Sequence, residues 1–322
     1  MTEATEMNAK IRTNTRAAKV DIKIDGEGNL KNLNQASSTI YDKKVRVLDR
    51  FLQGLIYLAA SISILILVGI MGYVFVRGIS QINWQFLSTV QSARKGTFGI
   101  LGNIVNTVYI VVVTLLVVTP IGIGSAIYLN EYAKPGKIVN MIVSTTEILS
   151  GIPSIIFGLF GMVFFGNVLK LGYSVLTGSF TLMLMVLPLI TRNTQEALKT
   201  VPDSYRQGAL GMGASKWHMI RTILLPSAMP GILTGVILSV GRIVGESAAL
   251  LFTAGSGFQL PRSLFSKLFE SSGTLTIQLY LSMQKAKYDQ AFGIALVLLV
   301  LVLGINLLTH WITKRFGTER VQ

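Results

Sequence analysis

Six long apolar segments limit this chain to a helical membrane fold. Each holds roughly 20 or more largely apolar residues, the length that an α-helix needs to cross the hydrocarbon core of a bilayer. Because lipid offers no hydrogen-bond partners to free backbone groups, we expect helices throughout these segments. The sequence therefore predicts an all-α, polytopic membrane protein with six transmembrane helices. The segments cover approximately residues 51–76, 103–129, 141–169, 175–197, 222–254 and 290–313.

The composition agrees with a membrane protein and excludes several kinds of site. Hydrophobic residues make up 51% of the 322 residues, charged residues make up 14%, and the mean hydropathy is +0.57. The absence of cysteine excludes a disulfide, a thiolate nucleophile and a Cys-ligated metal. The two histidines, His218 and His310, are too isolated for a metal site. The formal charge of +14 is spread over tails and short loops, so we expect membrane lipid and no nucleic acid as a partner.

The polar ends of the chain are expected to lie in the cytosol. Residues 1–50 are too poor in apolar side chains to form a core and predict a flexible tail, with a weak hairpin pattern at residues 20–30. The first apolar run begins near Phe51, too late for a cleavable signal peptide. If both termini lie in the cytosol, the segment ends on the cytosolic side carry more Lys and Arg than those on the outer side, as membrane proteins prefer. A membrane domain at 51–315 and a short C-terminal tail at 316–322 complete the predicted organisation.

The polar loop between the fourth and fifth segments, residues 195–231, is longer than a simple connection requires. Asp203 and Ser204 follow a proline and can cap a short helix, which Gly211 and Gly213 can end. Such a helix, lying on the cytosolic surface and joined to two spans, can transmit a movement to them. An ordinary surface loop is the alternative that spacing alone leaves open.

This loop resembles the cytosolic EAA loop of ABC importer permeases, whose pattern is E-A-A, three residues, Gly, nine residues and I-x-L-P. The resemblance implies a type I (MetI-like) permease fold and a loop that docks into a groove on an ATP-binding subunit. Gln207 stands where the pattern has its leading glutamate. A neutral glutamine cannot form the ion pair that a glutamate could make there with the ATPase. The matching residues, expected to couple the chain to the ATPase, are Gln207, Gly208, Ala209, Gly213, Ile223, Leu225 and Pro226.

Four further stretches are similar to phosphate-specific permease subunits, and more to the PstA type than to the PstC type. They are PIGIGSAIYLNEYA (120–133), EILSGIPSIIFGLFG (147–161), LPLITRNTQEALKTVP (187–202) and GRIVGESAALLFTAG (241–255). The similarity implies a subunit of an ATP-driven phosphate importer in the inner membrane of a prokaryote. It also implies as partners a homologous PstC-type permease, two PstB-type ATP-binding subunits and a PstS-type phosphate-binding protein.

The chain itself carries no G-x-x-x-x-G-K-[ST] phosphate loop. We therefore expect a transport subunit that is not an enzyme and has no cofactor of its own, with ATP and Mg bound by the partner subunits. An outer ligand-binding domain is not expected either, because the segments 77–102 and 255–289 are too short for one.

Among the ionisable residues inside the predicted spans, the three strongest candidates for function are Arg192, Arg242 and Glu246. A charge there costs about 2.5 to 3.5 kcal/mol on insertion scales and is a candidate for function. The planar fork of Arg suits an oxyanion, and the family resemblance places both arginines at positions implicated in phosphate passage. Glu246 is expected to hold Arg242 in place and to accept a proton from phosphate. The alternative is that Arg242 and Glu246 form a structural pair at i and i+4.

Other residues are weaker candidates for function. Glu147 is a minor candidate for contact with the substrate. Close helix contact and bending are expected at Gly151, Pro153, Gly158 and Gly161. Trp217 and Trp311 are expected to anchor the chain at the membrane surface. Three other functions stay open: a permease for molybdate or sulfate, an ion-gradient anion transporter with Glu246 as proton relay, and a reporter of phosphate status. The EAA-like loop argues against the gradient transporter.

Overall fold

The computed structural model describes residues 47–92, 96–134, 136–261 and 263–317. Contacts divide the chain into two compact units, residues 1–66 and 67–322. In the first unit the described residues, 47–66, form the beginning of one long apolar helix, and the side chains from residue 50 on are exposed. The predicted hairpin at 20–30 lies outside the described residues, as do the rest of the N-terminal tail up to residue 46 and residues 318–322.

The described residues of the first half of the chain form helices and one small hairpin. Helix α1 is followed by a short helix, a two-stranded antiparallel sheet and a long helix that ends in a π-helical turn. The bounds are α1 Val47–Ile79, α2 Trp84–Ser88, β1 Val90–Ser92, β2 Thr97–Ile100, α3 Leu101–Ile127 and the π-turn Tyr128–Tyr132.

The described residues of the second half form three long helices and several short ones, joined by turns and loops. The bounds are α4 Lys137–Gly151, α5 Ser154–Gly161 continued by the π-helix Met162–Val168, α6 Val175–Lys199, α7 Asp203–Gly211, α8 Lys216–Met219, the π-turn Ile220–Leu224, α9 Leu225–Gly245, α10 Ala248–Thr253, α11 Leu264–Lys267, α12 Leu275–Gln284 and α13 Tyr288–Gly317.

Five helical runs among the described residues are long and apolar enough to cross a membrane. They are Arg50–Ile79, Leu101–Tyr132, Val175–Lys199, Lys216–Gly245 and Tyr288–Leu308. A sixth span results if α4 and the helix that begins with α5 count as one, although the two are bent by 101°. The predicted all-α fold is thus confirmed, and the predicted number of six spans is reached when the bent pair counts as the third span.

Two of the predicted spans are broken where the chain leaves helical geometry. Ile152 is extended because it precedes Pro153, whose ring disfavours helical geometry in the residue before it. Glu246 is also extended, with φ −80° and ψ 127°, so the predicted segment 222–254 contains two helices, α9 and α10. The expectation of one unbroken fifth helix is therefore wrong.

The centre of the second unit is an apolar core between α3, α6 and α9. Ile110, Leu182, Ile190 and Ile243 are almost fully buried there. Tight helix packing supports this core: a Cβ added to Gly158 would lie 2.8 Å from the Cα of Ala249. One added to Gly161 would lie 2.0 Å from Thr181 Oγ1, so only glycine lets α5 approach α6 this closely.

The end of the second unit that carries the hairpin is held by buried polar contacts. Asn103 and Asn106 at the start of α3 donate from Nδ2 to the carbonyl oxygens of Gly273 and Gly257, at 2.9 Å and 3.0 Å. The Nζ of Lys267 donates to the carbonyl of Gln259, and burial lowers the pKa of this lysine while nearby Glu270 opposes the shift. These contacts pack the connection between α10 and α12 onto the bundle.

Candidate functional site

Arg192 lies on α6, four residues after Pro188, at the surface of the second unit. Its side chain is 59% exposed and is held by two carboxylates. The Nε lies 3.2 Å from Glu196 Oε1, one helical turn on, and Nη1 lies 3.9 Å from Glu147 Oε1 on α4. Both ion pairs are exposed, and exposed pairs contribute only about 0 to 1 kcal/mol to stability.

A cavity of about 180 Å³ lies between α4, α6 and α9. It is large compared with the roughly 10 to 15 Å³ that holds one water, so it has room for a small oxyanion and some of its water. The charged residues that line it are Arg192, Arg242 and Glu147. Thr146, Ser150, Met185, Pro188 and Leu189 form the rest of the lining.

Arg242 reaches this cavity from the last turn of α9. Its side chain is exposed and makes no ion pair or hydrogen bond to another residue in the described parts of the chain. The structure therefore brings together the two arginines that the sequence singled out, 50 positions apart in the chain. One of them keeps all its donors available.

Glu246 is placed differently from the sequence-based expectation. It follows the last residue of α9, and its Oε1 accepts a hydrogen bond from the backbone N–H of Ala249 at 3.2 Å, which caps α10. Because the helix has ended, Arg242 and Glu246 do not share a helix face, and no ion pair joins them in the described structure. The alternative of a structural pair at these positions, and the expectation that Glu246 holds Arg242 in place, are both wrong. Glu246 is not among the residues that line the cavity.

The hydroxyl groups of the cavity are occupied by their own helix. Thr146 donates to the carbonyl of Ile142 and Ser150 donates to the carbonyl of Glu147. Their protons are therefore not free for a ligand. Strong hydrogen-bond donors for an anion come from the two guanidinium groups, and Glu147 contributes an acceptor.

Two further cavities adjoin this one. A polar cavity of about 140 Å³ shares Thr146, Glu147 and Arg192 with it and adds Glu196 and Lys199. An apolar groove of about 430 Å³ shares Thr146 and Pro188 and runs along α4, α5 and α6. The arginine cavity thus shares part of its lining with a polar cavity and part with an apolar groove.

The segment between α6 and α9 contains the short helix that the sequence predicts. Helix α7 spans Asp203–Gly211, but its N-cap residue is Pro202 and no side chain caps it, so the expected capping by Asp203 or Ser204 is wrong. Gly213 has φ +83°. The N–H groups of Gly213 and Ala214 bond the carbonyls of Leu210 and Ala209, both at 3.0 Å, which is a Schellman ending that favours glycine.

The residues of the EAA-like pattern divide between surface and core. Gln207 and Gly208 are exposed on α7, while Ala209 is buried. Ile223 lies in the π-turn before α9, and Leu225 and Pro226 are the first two residues of α9. All three are half-buried. The exposed face of α7 can therefore meet a partner, while Ala209 fixes the helix to an apolar cluster with Ile220 and Leu224.

A buried ion pair beneath α7 escaped the sequence analysis. Arg206 on α7 bonds Glu131 in the π-turn that follows α3, at 3.0 Å, and their side chains are only 17% and 6% exposed. The two residues are 75 positions apart, and no spacing rule links them. The one signal in the sequence was Glu131 itself, an acidic residue at the end of an apolar segment.

Comparison with known proteins agrees with this arrangement. The family described as "Binding-protein-dependent transport system inner membrane component" matches residues 118–319. A probable ABC transporter permease protein, YqgI of Bacillus subtilis (strain 168), is 35% identical over 282 residues, which cover 83% of this chain and 95% of the relative.

Two further relatives extend the comparison. Phosphate transport system permease protein PstA 2 of Mycobacterium bovis is 32% identical over 247 residues, 74% of this chain and 80% of the relative. A crystal structure of a bacterial alginate ABC transporter, in complex with an alginate-bound periplasmic protein, contains a chain with a TM-score of 0.64 at 17% identity, covering 84% of this chain and 96% of that one. That likeness concerns the fold. The chain belongs to the family of binding-protein-dependent transport system inner membrane components, the membrane-spanning permeases of ABC importers.

Proposed function

We propose that this permease subunit forms half of a phosphate pathway in an ATP-driven importer. The observation that carries the proposal is the cavity in which Arg192 and Arg242 meet with Glu147. Two guanidinium groups outnumber one carboxylate there, so the lining carries a net positive charge. Relatives named as phosphate transport permeases support the choice of anion.

Arginine suits a site that must take over the hydration of an oxyanion. The guanidinium remains charged when it loses water, and its planar fork donates two parallel hydrogen bonds to adjacent oxygens. Arg242 offers this fork without a competing carboxylate. Arg192 would give up its weak ion pairs with Glu147 and Glu196 when it binds the ligand. The anion would thus pass from Arg242 to Arg192 with little reorganisation of the helices.

Glu147 favours an anion that carries a proton. A carboxylate beside a fully ionised anion such as sulfate adds only repulsion, whereas it accepts a hydrogen bond from the hydroxyl of a partly protonated phosphate. Glu147 therefore takes the proton-accepting role that the sequence first suggested for Glu246. Molybdate and sulfate are the competing substrates that this reasoning disfavours.

The energy for transport comes from partner subunits in this proposal. A homologous PstC-type permease would complete the path, two PstB-type subunits would hydrolyse ATP, and a PstS-type protein would deliver phosphate. Both termini and α7 would lie in the cytosol of a prokaryotic cell. ATP-driven closure of the ATPase pair would move the segment 203–217 and rock the spans between outward-open and inward-open states.

The test is phosphate uptake by proteoliposomes that contain the full complex. We expect Arg242→Gln to reduce uptake by roughly tenfold or more while the ATPase subunits still bind. The matched control is Arg77→Gln, the same change at an exposed arginine near the end of α1, which does not line the cavity. Uptake that survives Arg242→Gln at normal assembly would place the pathway elsewhere.

Selectivity is tested by competition in the same vesicles. Excess phosphate should suppress the uptake of labelled phosphate, and excess sulfate or molybdate should not. In Glu147→Gln the carboxylate is gone, so the preference for phosphate over sulfate should fall. An unchanged preference would contradict the role of Glu147, and stronger competition by molybdate than by phosphate would make molybdate the substrate.

A further inference from the structure

The buried pair of Arg206 and Glu131 joins α7 to the end of α3. Oε1 of Glu131 accepts hydrogen bonds from Nη2 and Nε of Arg206, at 3.0 Å and 3.3 Å. Asn130 donates to the same oxygen from Nδ2 at 2.7 Å. A carboxylate that is only 6% exposed needs such partners, because an unpaired charge at that depth is strongly destabilising.

Arg206 also bonds the end of α6 and the link that follows it. Its Nη2 donates to the carbonyl of Leu198 and its Nη1 to the carbonyl of Val201, both at 2.9 Å. Nη1 further contacts Asp203 Oδ1 at 3.0 Å. One guanidinium thus connects α3, α6, the link and α7, and its rigid fork fixes the directions of these bonds. Helix α7 cannot leave the end of α3 without breaking both bonds between Arg206 and Glu131.

A second contact holds the same π-turn from α8. The Nζ of Lys216 lies 4.9 Å from the ring centroid of Tyr132, the residue after Glu131. This distance is within the range of a cation–π interaction. The π-turn 128–132 is therefore contacted by α7 through Arg206 and by α8 through Lys216.

From the π-turn the contact continues along α3 to the arginine cavity. A Cβ added to Gly122 would lie 2.7 Å from Cγ2 of Ile190 on α6, so the two helices are in close contact there. Ile190 is two residues before Arg192. This contact is a route by which a displacement at the end of α3 can reach the helix that carries Arg192.

We propose that Arg206 and Glu131 are positioning residues that make α7 and the end of α3 move as one body during transport. The proposal rests on the proposed function, in which ATPase subunits displace α7. Without the pair, the ATPase would still bind and hydrolyse ATP, but α7 would slip against α3 and less of its movement would reach the cavity.

The first experiment measures how many ATP molecules are hydrolysed for each phosphate taken up by the full complex in proteoliposomes. Glu131→Gln keeps the shape of the side chain and removes its charge, and we expect the ratio to rise several-fold while the subunits remain assembled. Arg206→Lys, which keeps the charge and loses the fork, should raise it as well. Asp289→Asn, an acid-to-amide change at an exposed position on α13, should leave the ratio unchanged. An unchanged ratio in both variants of the pair would overturn the proposal.

The second experiment does not depend on the transported substrate. The chain has no cysteine, so spin labels go only to introduced ones, here Tyr128→Cys in the π-turn and Ser204→Cys on α7, both at exposed positions. In the complex with Arg206 and Glu131 intact, the distance between the labels should be the same with and without bound ATP. In Glu131→Gln it should shift or broaden with ATP. A shift in the intact pair, or none in the variant, would overturn the proposal even if the substrate is not phosphate.

Discussion

Two arginines, Arg192 and Arg206, sit on neighbouring helices and are used in opposite ways. Arg206 is 17% exposed and has its donors directed at two carboxylates and two carbonyl oxygens. Arg192 is 59% exposed and forms two exposed ion pairs with carboxylates, at 3.2 Å and 3.9 Å. A guanidinium with all its donors engaged holds helices in place, whereas one with spare donors is available to a ligand. Arg242, which has no such partners in the described structure, belongs to the second kind.

The largest effect on stability is expected from Arg206→Ala. The change leaves Glu131 as a buried charge without its main partner, which costs about 3 to 5 kcal/mol in comparable cases. The thermal unfolding midpoint of the purified protein in detergent should fall accordingly. Arg221→Ala, at an exposed position in the π-turn before α9, is the matched control and should hardly change it.

A double variant makes this test sharper. Combining Arg206→Gln with Glu131→Gln removes both charges, so it should be more stable than Arg206→Ala, because no buried charge is left unpaired. If the double variant is no more stable than Arg206→Ala, packing rather than charge holds α7, and the contrast between the two arginines fails.

The second effect concerns the backbone of the coupling segment. Gly213 has φ +83°, and an L-residue in this conformation costs about 1 to 2 kcal/mol. No atom lies within 4 Å of a Cβ added there, so Gly213→Ala should act through the backbone alone, lowering stability and reducing ATP-coupled uptake. Asn tolerates this region better, so Gly213→Asn should recover part of both losses.

The control for Gly213 is Gly211→Ala. The surroundings of Gly211 are equally open, but it lies within α7, where alanine is preferred to glycine by about 1 kcal/mol. This variant should be as stable as the native protein or more so. If both variants lose stability equally, the left-handed conformation is not the reason that glycine is needed at position 213.

The spans and the coupling helix were predictable because each depends on local sequence. Apolar length marked the helices, and prolines and glycines marked the limits of α7. The bend at Ile152 agrees with the bending expected at Gly151 and Pro153. The break at Glu246 was not predicted, because hydropathy averages over a window and does not register a single extended residue. The break at Glu246 also invalidated the spacing argument for its pair with Arg242, since i and i+4 meet only within one continuous helix.

The site could be predicted only as a set of separate residues. Arg192 and Arg242 stood out because charges in apolar segments are rare. That they line one cavity follows from the crossing of α6 and α9, which sequence does not specify. Glu147 ranked low because it lies at a segment with uncertain ends, and Glu131 was overlooked because its partner is 75 positions away. Tertiary packing decides such pairings.

The third effect separates stability from transport at Arg192. Because its ion pairs are exposed, Arg192→Gln should change the free energy of unfolding by about 1 kcal/mol or less. Phosphate uptake should nevertheless fall by roughly tenfold or more, the same loss that the proposed pathway predicts for Arg242→Gln. Uptake at the native level would mean that Arg192 is a surface residue and that Arg242 acts without it.

The smallest effect is expected from Asp203→Asn, which removes the exposed partner of Arg206. Asp203 is 83% exposed, so its ion pair and its favourable position in the first turn of α7 together contribute less than about 1 kcal/mol. The Debye length falls from about 10 Å at 0.1 M salt to about 3 Å at 1 M, so the difference in unfolding midpoint should shrink further as the salt concentration rises. The loss in Arg206→Ala should persist at high salt, because Glu131 is buried. If the two variants respond to salt alike, Glu131 is in contact with solvent, and the distinction between a holding arginine and a binding arginine does not apply to Arg206.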